Sequence, residues 1–217
     1  MSARIGPNAA IQLGAALASR PALAAAVFAE AGHPDWLKAP PSTMLPQGEV
    51  AALHAALWRL APDPLPLARD AGRRTADYIM AHRLPWLARA LLIALPPALA
   101  EPLLLRAVTA HAWTFTGSGR FAVVGHAPTR FEIAANPLAR ATADARCAWH
   151  EAVFTTLWQR LVTPGAWVVE ERCGRGTAPC RFVVERRAYA GARVGPARRR
   201  AALMVGDDGL EPPTFSV

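Results

Sequence analysis

The cysteines of the chain fall close together near its C-terminal end, at positions 147, 173 and 180. Cys173 and Cys180 flank a loop that contains two glycines, and Cys147 opens the preceding helical segment. Glu170 and Glu171 close the apolar run before the loop. Thiolates and a carboxylate around a turn are ligands that suit a tetrahedral metal ion such as zinc. The pattern therefore indicates a metal site.

The spacing leaves alternatives open. Six residues separate Cys173 from Cys180, which is wider than the roughly two to four residues of common zinc motifs. The cysteines would otherwise be small buried core residues, or Cys173 and Cys180 would form a disulfide. No apolar leader follows Met1, so the sequence does not indicate an oxidising compartment, and we expect a cytoplasmic protein.

Composition narrows the class of protein. The chain has 217 residues, of which 53% are hydrophobic, so it can bury a sizeable core. Its net charge of +8 comes from 23 arginines and one lysine, many of them between 186 and 200. No nucleic-acid reader motif accompanies this charge, so we expect no nucleic acid as partner. The apolar stretch 84–105 is interrupted by Arg89, Pro96 and Glu101, which excludes a spanning helix there but leaves peripheral contact with anionic lipid open.

The pattern of apolar residues changes near residue 116. Before it, helical periodicity predicts helices over 8–19, 22–31, 48–60, 66–82, 86–95 and 98–114. After it, Phe121, Val123, Phe131 and Ile133 alternate with smaller or polar residues, which predicts a hairpin. A helix over about 145–162, with Asp144 as its N-cap, precedes two further strands near 167–169 and 182–184. The order β-β-α-β-β behind a helical half predicts an α+β fold.

We expect one domain over 1–187, with a helical half over 1–116 and an α+β core over about 117–187. The segment 188–217 is basic and lacks regular periodicity, and it buries too little apolar surface to offset its ordering entropy. The sequence therefore predicts a disordered tail.

Several motifs in a fixed order carry a family resemblance. They are 147–162, 168–170, Cys173, Gly176 and 180–182, and, earlier in the chain, 4–8, 77–81, 83–85 and 111–121. Together they resemble the four-vinyl-reductase (V4R) domain family, in its bacteriochlorophyll-biosynthesis branch, over about residues 4–187.

The resemblance implies a small-molecule-binding core whose cysteines hold a metal. The implied ligands are Cys147, Glu170, Cys173 and Cys180, with zinc as the metal. On a regular strand Glu170 and Cys173 point to opposite faces, so only a bulge or an early strand end brings Glu170 to the site. His150, one helical turn from Cys147, is the other candidate for a fourth ligand.

The resemblance also implies a role in bacteriochlorophyll biosynthesis. The chain has no Gly-x-Gly-x-x-Gly motif after a strand, so we expect no nucleotide cofactor, and a self-sufficient reductase is disfavoured. A protein that binds a magnesium tetrapyrrole needs only an apolar slot, arginines for the carboxylates and a histidine toward the magnesium. Candidate ligand-binding residues are Tyr78, Arg83, His111, Trp113, Phe115 and Arg120.

Two alternatives remain at this point. One is a vinyl reductase that acts on a divinyl tetrapyrrole with an external electron donor. The other is a metal-dependent sensor or interaction module. The expected partners are the tetrapyrrole and other enzymes of the pathway, together with a second copy of the chain in a homodimer.

Overall fold

The computed structural model describes residues 3–139, 147–174 and 178–186. The described helices are α1 Asn8–Ala16, α2 Pro21–Glu30, α3 Gln47–Leu60, α4 Pro64–His82, α5 Trp86–Ala94, α6 Pro97–Ala110, α7 Trp113–Thr116 and α8 Ala148–Leu161. The strands are β1 Arg4–Ile5, β2 Leu45–Pro46, β3 Arg120–His126, β4 Thr129–Ala134, β5 Ala166–Arg172 and β6 Cys180–Arg186. The α+β class is confirmed. The predicted tail, 188–217, lies outside the described residues.

The larger sheet is antiparallel and has the strand order β3-β4-β6-β5. The hairpin expected around residues 121–133 is the β3–β4 pair, in which Phe121 lies opposite Ile133. Strands β5 and β6 form the second hairpin and place the cysteine loop at one end of the sheet. The short β1–β2 pair, which the sequence analysis missed, joins Arg4 to Pro46 and Ile5 to Leu45.

Helix α8 packs between the sheet and α4, and eleven of its fourteen residues are buried. Phe131 and Phe182 stack on the sheet, and Phe154 of α8 packs edge-on against both rings. Thr155 fixes α8 to β5 by hydrogen bonds to both backbone groups of Val168. The apolar and hydrogen-bonded contacts together set the position of α8 relative to β5.

The predicted helix boundaries differ from the structure by up to four residues at an end, and the helix expected over 8–19, for example, ends at Ala16. The helix expected over 98–114 ends at Ala110, and α7 follows after a break at His111 and Ala112. A Gly117 with φ of 58° then ends α7, a conformation that glycine adopts without steric cost. Helix α8 begins at Ala148 with Cys147 at the N-cap position, so the expectation that Asp144, which lies outside the described residues, is the N-cap was wrong.

Within the part of the chain that the structure describes, no helix combines the length and apolar character needed to cross a membrane. Helices α5 and α6 instead carry exposed apolar side chains, which are Trp86, Leu87, Leu91, Leu99 and Leu103.

Gly72 allows α4 and α8 to approach closely. A Cβ atom at this position would overlap the carbonyl oxygen of Trp149 and would lie 2.8 Å from the Cβ of Ala152. Backbone atoms cannot yield as a flexible side chain does, so only glycine fits here without moving one helix.

A Gly72→Ala substitution should therefore destabilise the protein, by about 1–3 kcal/mol, the usual range for an overpacked core. Gly48→Ala is the matched control, because a Cβ at Gly48 in α3 meets no atom within 4 Å. Urea unfolding followed by circular dichroism measures both variants. Equal unfolding midpoints for the two variants would contradict the close approach.

Candidate functional site

The four predicted metal ligands converge at one end of the sheet. Cys147 precedes α8, Glu170 lies in β5, Cys173 follows β5 and Cys180 begins β6. Their ligand atoms all lie within 4.8 Å of one another, and Cys147 Sγ lies 3.2 Å from Cys180 Sγ and 4.0 Å from Cys173 Sγ. Zinc at about 2.3 Å from each sulfur in a tetrahedron separates the sulfurs by about 3.8 Å. The thiol cluster, as we call these four residues, therefore matches a zinc site in its spacing.

A β-bulge brings Glu170 to the thiol cluster. Glu170 pairs with Phe182 and Arg172 pairs with Arg181, so Glu171 is the extra residue in β5. This insertion shifts the alternation of side chains by one position and puts Glu170 on the side of Cys173. Glu171 points away and its carboxylate accepts a hydrogen bond from Arg130 Nε at 3.0 Å.

One oxygen of Glu170 lacks a partner. Oε2 accepts a hydrogen bond from the backbone N–H of Cys147 at 3.0 Å, whereas Oε1 is buried and has no hydrogen-bond partner among the described residues. A buried, unpaired carboxylate oxygen beside three thiols is costly unless a cation compensates it. The donor set therefore fits a metal ion. No disulfide links the three cysteines, all of which belong to the described residues.

The thiols differ in acidity. The pKa of Cys147 is raised, mainly through its hydrogen bonds to Cys173 and Cys180 and also by burial. The hydrogen bond from Cys147 lowers the pKa of Cys180 to about 7, although burial opposes this, and the N–H of Gly174 adds to the lowering. Cys180 is therefore the thiol of this pair that loses its proton more readily.

Asn136 connects the thiol cluster to α8. Its Nδ2 lies 3.4 Å from Cys147 Sγ, from Cys180 Sγ and from Nδ1 of His150. The group of converging ligand atoms does not include His150, although the sequence allowed it as a fourth ligand. His150 instead contacts the same amide nitrogen of Asn136 as the two sulfurs do.

Beyond His150 lies an apolar cavity of about 460 Å³. Helix α8 supplies six of its lining residues, and α4, α6, α7 and the segment 5–9 supply most of the others. The apolar lining includes Ile79, Leu104, Val108, Leu138, Val153 and Phe154. Volumes of about 300–1,000 Å³ with mostly apolar walls are typical of small-molecule sites.

Comparison of the sequence with known proteins shows what this chain is similar to. A bacteriochlorophyll synthase 23 kDa chain from Cereibacter sphaeroides is 45% identical over 185 residues, which cover 82% of this chain and 89% of that one. The bacteriochlorophyll synthase 23 kDa chain of Rhodobacter capsulatus is 42% identical over 196 residues, covering 83% and 86%. The chain belongs to this family. No protein-family model matches it, so the resemblance to the V4R domain stays a prediction.

In this member of the 23 kDa chain family, four of the six predicted ligand-binding residues line the cavity. Arg83, His111, Trp113 and Phe115 are among the lining residues. Trp113 is 58% exposed, and the ring of His111 turns back so that Nδ1 lies 2.9 Å from the carbonyl oxygen of Ala107. Tyr78, which packs against His82, and Arg120, at the start of β3, are not among the lining residues.

Sequence reasoning did not identify Trp149 and Asn136 as residues of the site. It proposed His150 as a metal ligand rather than as a residue of the cavity wall. The sequence assigned no role to Trp149, yet Trp149 and His150 both line the cavity. Adjacent tryptophan and histidine side chains in the first turn of α8 are the signal that could have identified them. Asn136 lies two residues after the end of β4 and has no local sequence signal.

Purified protein should carry about one zinc ion per chain, because the three thiols and Glu170 Oε1 provide four ligands. The double variant Cys173→Ser, Cys180→Ser should lose the metal, and Glu170→Gln should weaken zinc binding at least about tenfold. Glu171→Gln is the matched control and should retain zinc. Elemental analysis and competition with a chromogenic chelator measure these outcomes. Full metal content in the double serine variant would overturn the ligand assignment.

Zinc binding should weaken as the pH falls from about 8 to about 6, because protons compete for thiolates. The pKa of Cys180 lies at about 7, so this thiol becomes protonated within that range. Chelator competition at a series of pH values measures the effect. An affinity independent of pH over this interval would contradict thiolate ligation.

Proposed function

We propose that this chain binds a magnesium tetrapyrrole intermediate of bacteriochlorophyll synthesis in the apolar cavity and assists its processing or delivery to other enzymes of the pathway. The observation that carries the proposal is the apolar cavity of about 460 Å³ in a chain whose relatives are named as bacteriochlorophyll synthase chains. A cavity with a mostly apolar wall suits a flat macrocycle better than a sugar or a nucleotide.

The distribution of polar groups supports the same ligand. Arg83 is exposed at the C-terminal end of α4 and lines the cavity, where its guanidinium can pair with a carboxylate of the macrocycle. Phe115 lies between Phe121, Phe154 and His150, so its ring is held in place as part of the wall. An apolar interior with a cation at its exposed side matches a macrocycle that carries acidic side chains at its edge.

We assign the thiol cluster to zinc in a structural role. The ligands come from the start of α8 and from both strands of the second hairpin, so a bound ion would join three separate chain segments. Three thiols and a carboxylate also leave no open position for substrate in a tetrahedral site, and closed sites of this kind are structural. A zinc-holding core in this position is what the V4R resemblance implies.

Peripheral contact with the membrane would be made by the α5–α6 hairpin. Its exposed side chains include Trp86, Leu87 and Leu91 on α5 and Leu103 on α6, with Arg106 exposed nearby. Apolar and aromatic residues flanked by arginine bind at the surface of anionic bilayers. Such contact would bring the cavity close to tetrapyrrole that is dissolved in the bilayer.

Titration with chlorophyllide should shift the pigment's absorption and quench tryptophan fluorescence, since Trp149 and Trp113 line the cavity. Ala107→Phe should raise the dissociation constant at least about tenfold, because the larger side chain enters the cavity from α6. Ala110→Phe is the matched control on the same helix, at an exposed position outside the lining, and should bind as the parent chain does.

Absence of any spectral change with the parent chain would refute the proposal. Equal weakening by Ala107→Phe and Ala110→Phe would place the pigment elsewhere on the protein. Adding reduced nicotinamide to divinyl chlorophyllide in the same assay, and recording the vinyl-sensitive absorption bands, tests reduction directly.

A further inference from the structure

The first turn of α8 contributes two adjacent nitrogen-bearing side chains to the wall of the cavity. Trp149 is 6% exposed and His150 is 1% exposed, and their rings meet edge-on with centroids 4.8 Å apart. Among the described lining residues they are the buried ones that carry ring nitrogens, whereas His111 and Trp113 are exposed. They therefore define the polar part of the cavity's interior.

Both side chains hold an unused polar atom. Trp149 Nε1 and His150 Nε2 are buried and have no partner at hydrogen-bonding distance and angle among the residues that the structure describes, although the backbone of Phe115 lies close enough to the His150 ring to influence its pKa. Buried polar groups in folded proteins are nearly always hydrogen-bonded, so two unpaired nitrogens at one site call for an external partner. Thr75, another buried polar residue of the lining, already donates to the carbonyl oxygen of Ala71 at 2.8 Å.

Asn136 determines which nitrogen of His150 carries the proton. The side-chain oxygen of Asn136 accepts a hydrogen bond from the backbone N–H of Leu138 at 3.1 Å, which fixes the orientation of the amide. Its Nδ2 then faces Nδ1 of His150 at 3.4 Å. An amide nitrogen donates and cannot accept, so Nδ1 must be unprotonated and Nε2 must carry the hydrogen. Burial lowers the pKa of His150 to about 3, the electrostatic effect of the neighbouring buried His54 adds to this, and a contact of the ring with the backbone of Phe115 opposes it, so the ring is neutral.

Trp149 and His150 thus present two N–H donors in an apolar enclosure. We propose that this donor pair binds carbonyl or carboxylate oxygens of the cavity's occupant, and that His150 is not a ligand for the central magnesium. A nitrogen that coordinates magnesium must offer a lone pair. The lone pair of the His150 ring is on Nδ1, which faces the amide of Asn136, whereas Nε2 carries the hydrogen and has no lone pair to offer.

The inference rests on the proposed function and sharpens it. The pocket selects macrocycles with an oxygen acceptor that reaches its interior, in addition to any carboxylate that Arg83 binds at the exposed side. A site built from hydrogen-bond donors discriminates strongly against an analogue without the acceptor, because the donors are then left unpaired. The specificity of the site would therefore reside in oxygen substituents of the macrocycle.

Nitrogen-15 correlation spectra of the histidine rings test the tautomer without any ligand. The signal of His150, assigned by its absence in His150→Phe, should report a neutral ring with the proton on Nε2. Asn136→Asp keeps the shape but replaces the donor by an acceptor, and it should move the proton of His150 to Nδ1. A proton on Nδ1 in the parent protein would overturn the inference, whatever the ligand-binding result.

Chlorophyllide is the probe for recognition. In the bound pigment at least one carbonyl stretching band should shift to lower frequency, and His150→Phe and Trp149→Phe should each reverse part of the shift and raise the dissociation constant about tenfold. Trp86→Phe is the control, since Trp86 is exposed and outside the cavity lining and should leave the carbonyl bands in place. His150→Phe should also leave the melting temperature of the ligand-free protein unchanged or higher, because it removes an unpaired buried N–H.

The outcomes separate the two proposals. If chlorophyllide does not bind the parent chain, the proposed function fails and the inference fails with it. If it binds with unshifted carbonyl bands, or with an affinity that neither His150→Phe nor Trp149→Phe changes, the inference alone is overturned. The band positions in the parent protein decide the question even where a variant does not fold.

Discussion

The close packing of α8 between α4 and the sheet is the constraint on which both candidate sites depend. Gly72 allows the two helices to approach until the backbone of α8 occupies the space that a side chain would fill. Arg69 of α4 donates to Glu151 at 2.9 Å, and Glu151 in turn accepts from the backbone N–H of Glu170 in β5. One helix turn is thereby fixed against two neighbours, with Cys147 facing the sheet and Trp149 lining the cavity.

The same turn joins the two sites through a single amide. Asn136 is within hydrogen-bonding range of two sulfurs of the thiol cluster and of His150 in the cavity wall. A metal ion on the sulfurs would change how much charge this amide faces, and the orientation of the amide controls the tautomer of His150. The thiol cluster and the wall of the cavity are in this sense two ends of one polar network inside an apolar core.

The sequence predicted the fold class and the thiol cluster because both leave local signals. Apolar periodicity located the long helices and both hairpins of the larger sheet, and the cysteines indicated three of the four residues of the thiol cluster. The bulge at Glu171 brings Glu170 to the cysteines. The sequence showed that a regular strand would turn Glu170 away, but it did not reveal whether the strand contains a bulge. Tyr78 and Arg120 belong to the motifs of the family resemblance but lie outside the cavity lining, and Asn136 was missed. Long-range packing, rather than spacing in the sequence, determines which residues meet across α4, α8 and the sheet.

The bulges have a second consequence, for the solubility of the protein. Strands β3 and β5 are the edges of the sheet, and each contains an extra residue, Val124 in β3 and Glu171 in β5. An edge strand with a regular row of unpaired backbone groups is a template for aggregation with another chain, and a bulge interrupts that row. The irregularity that turns Glu170 toward the cysteines thus also protects the sheet from growing by addition of strands from other molecules.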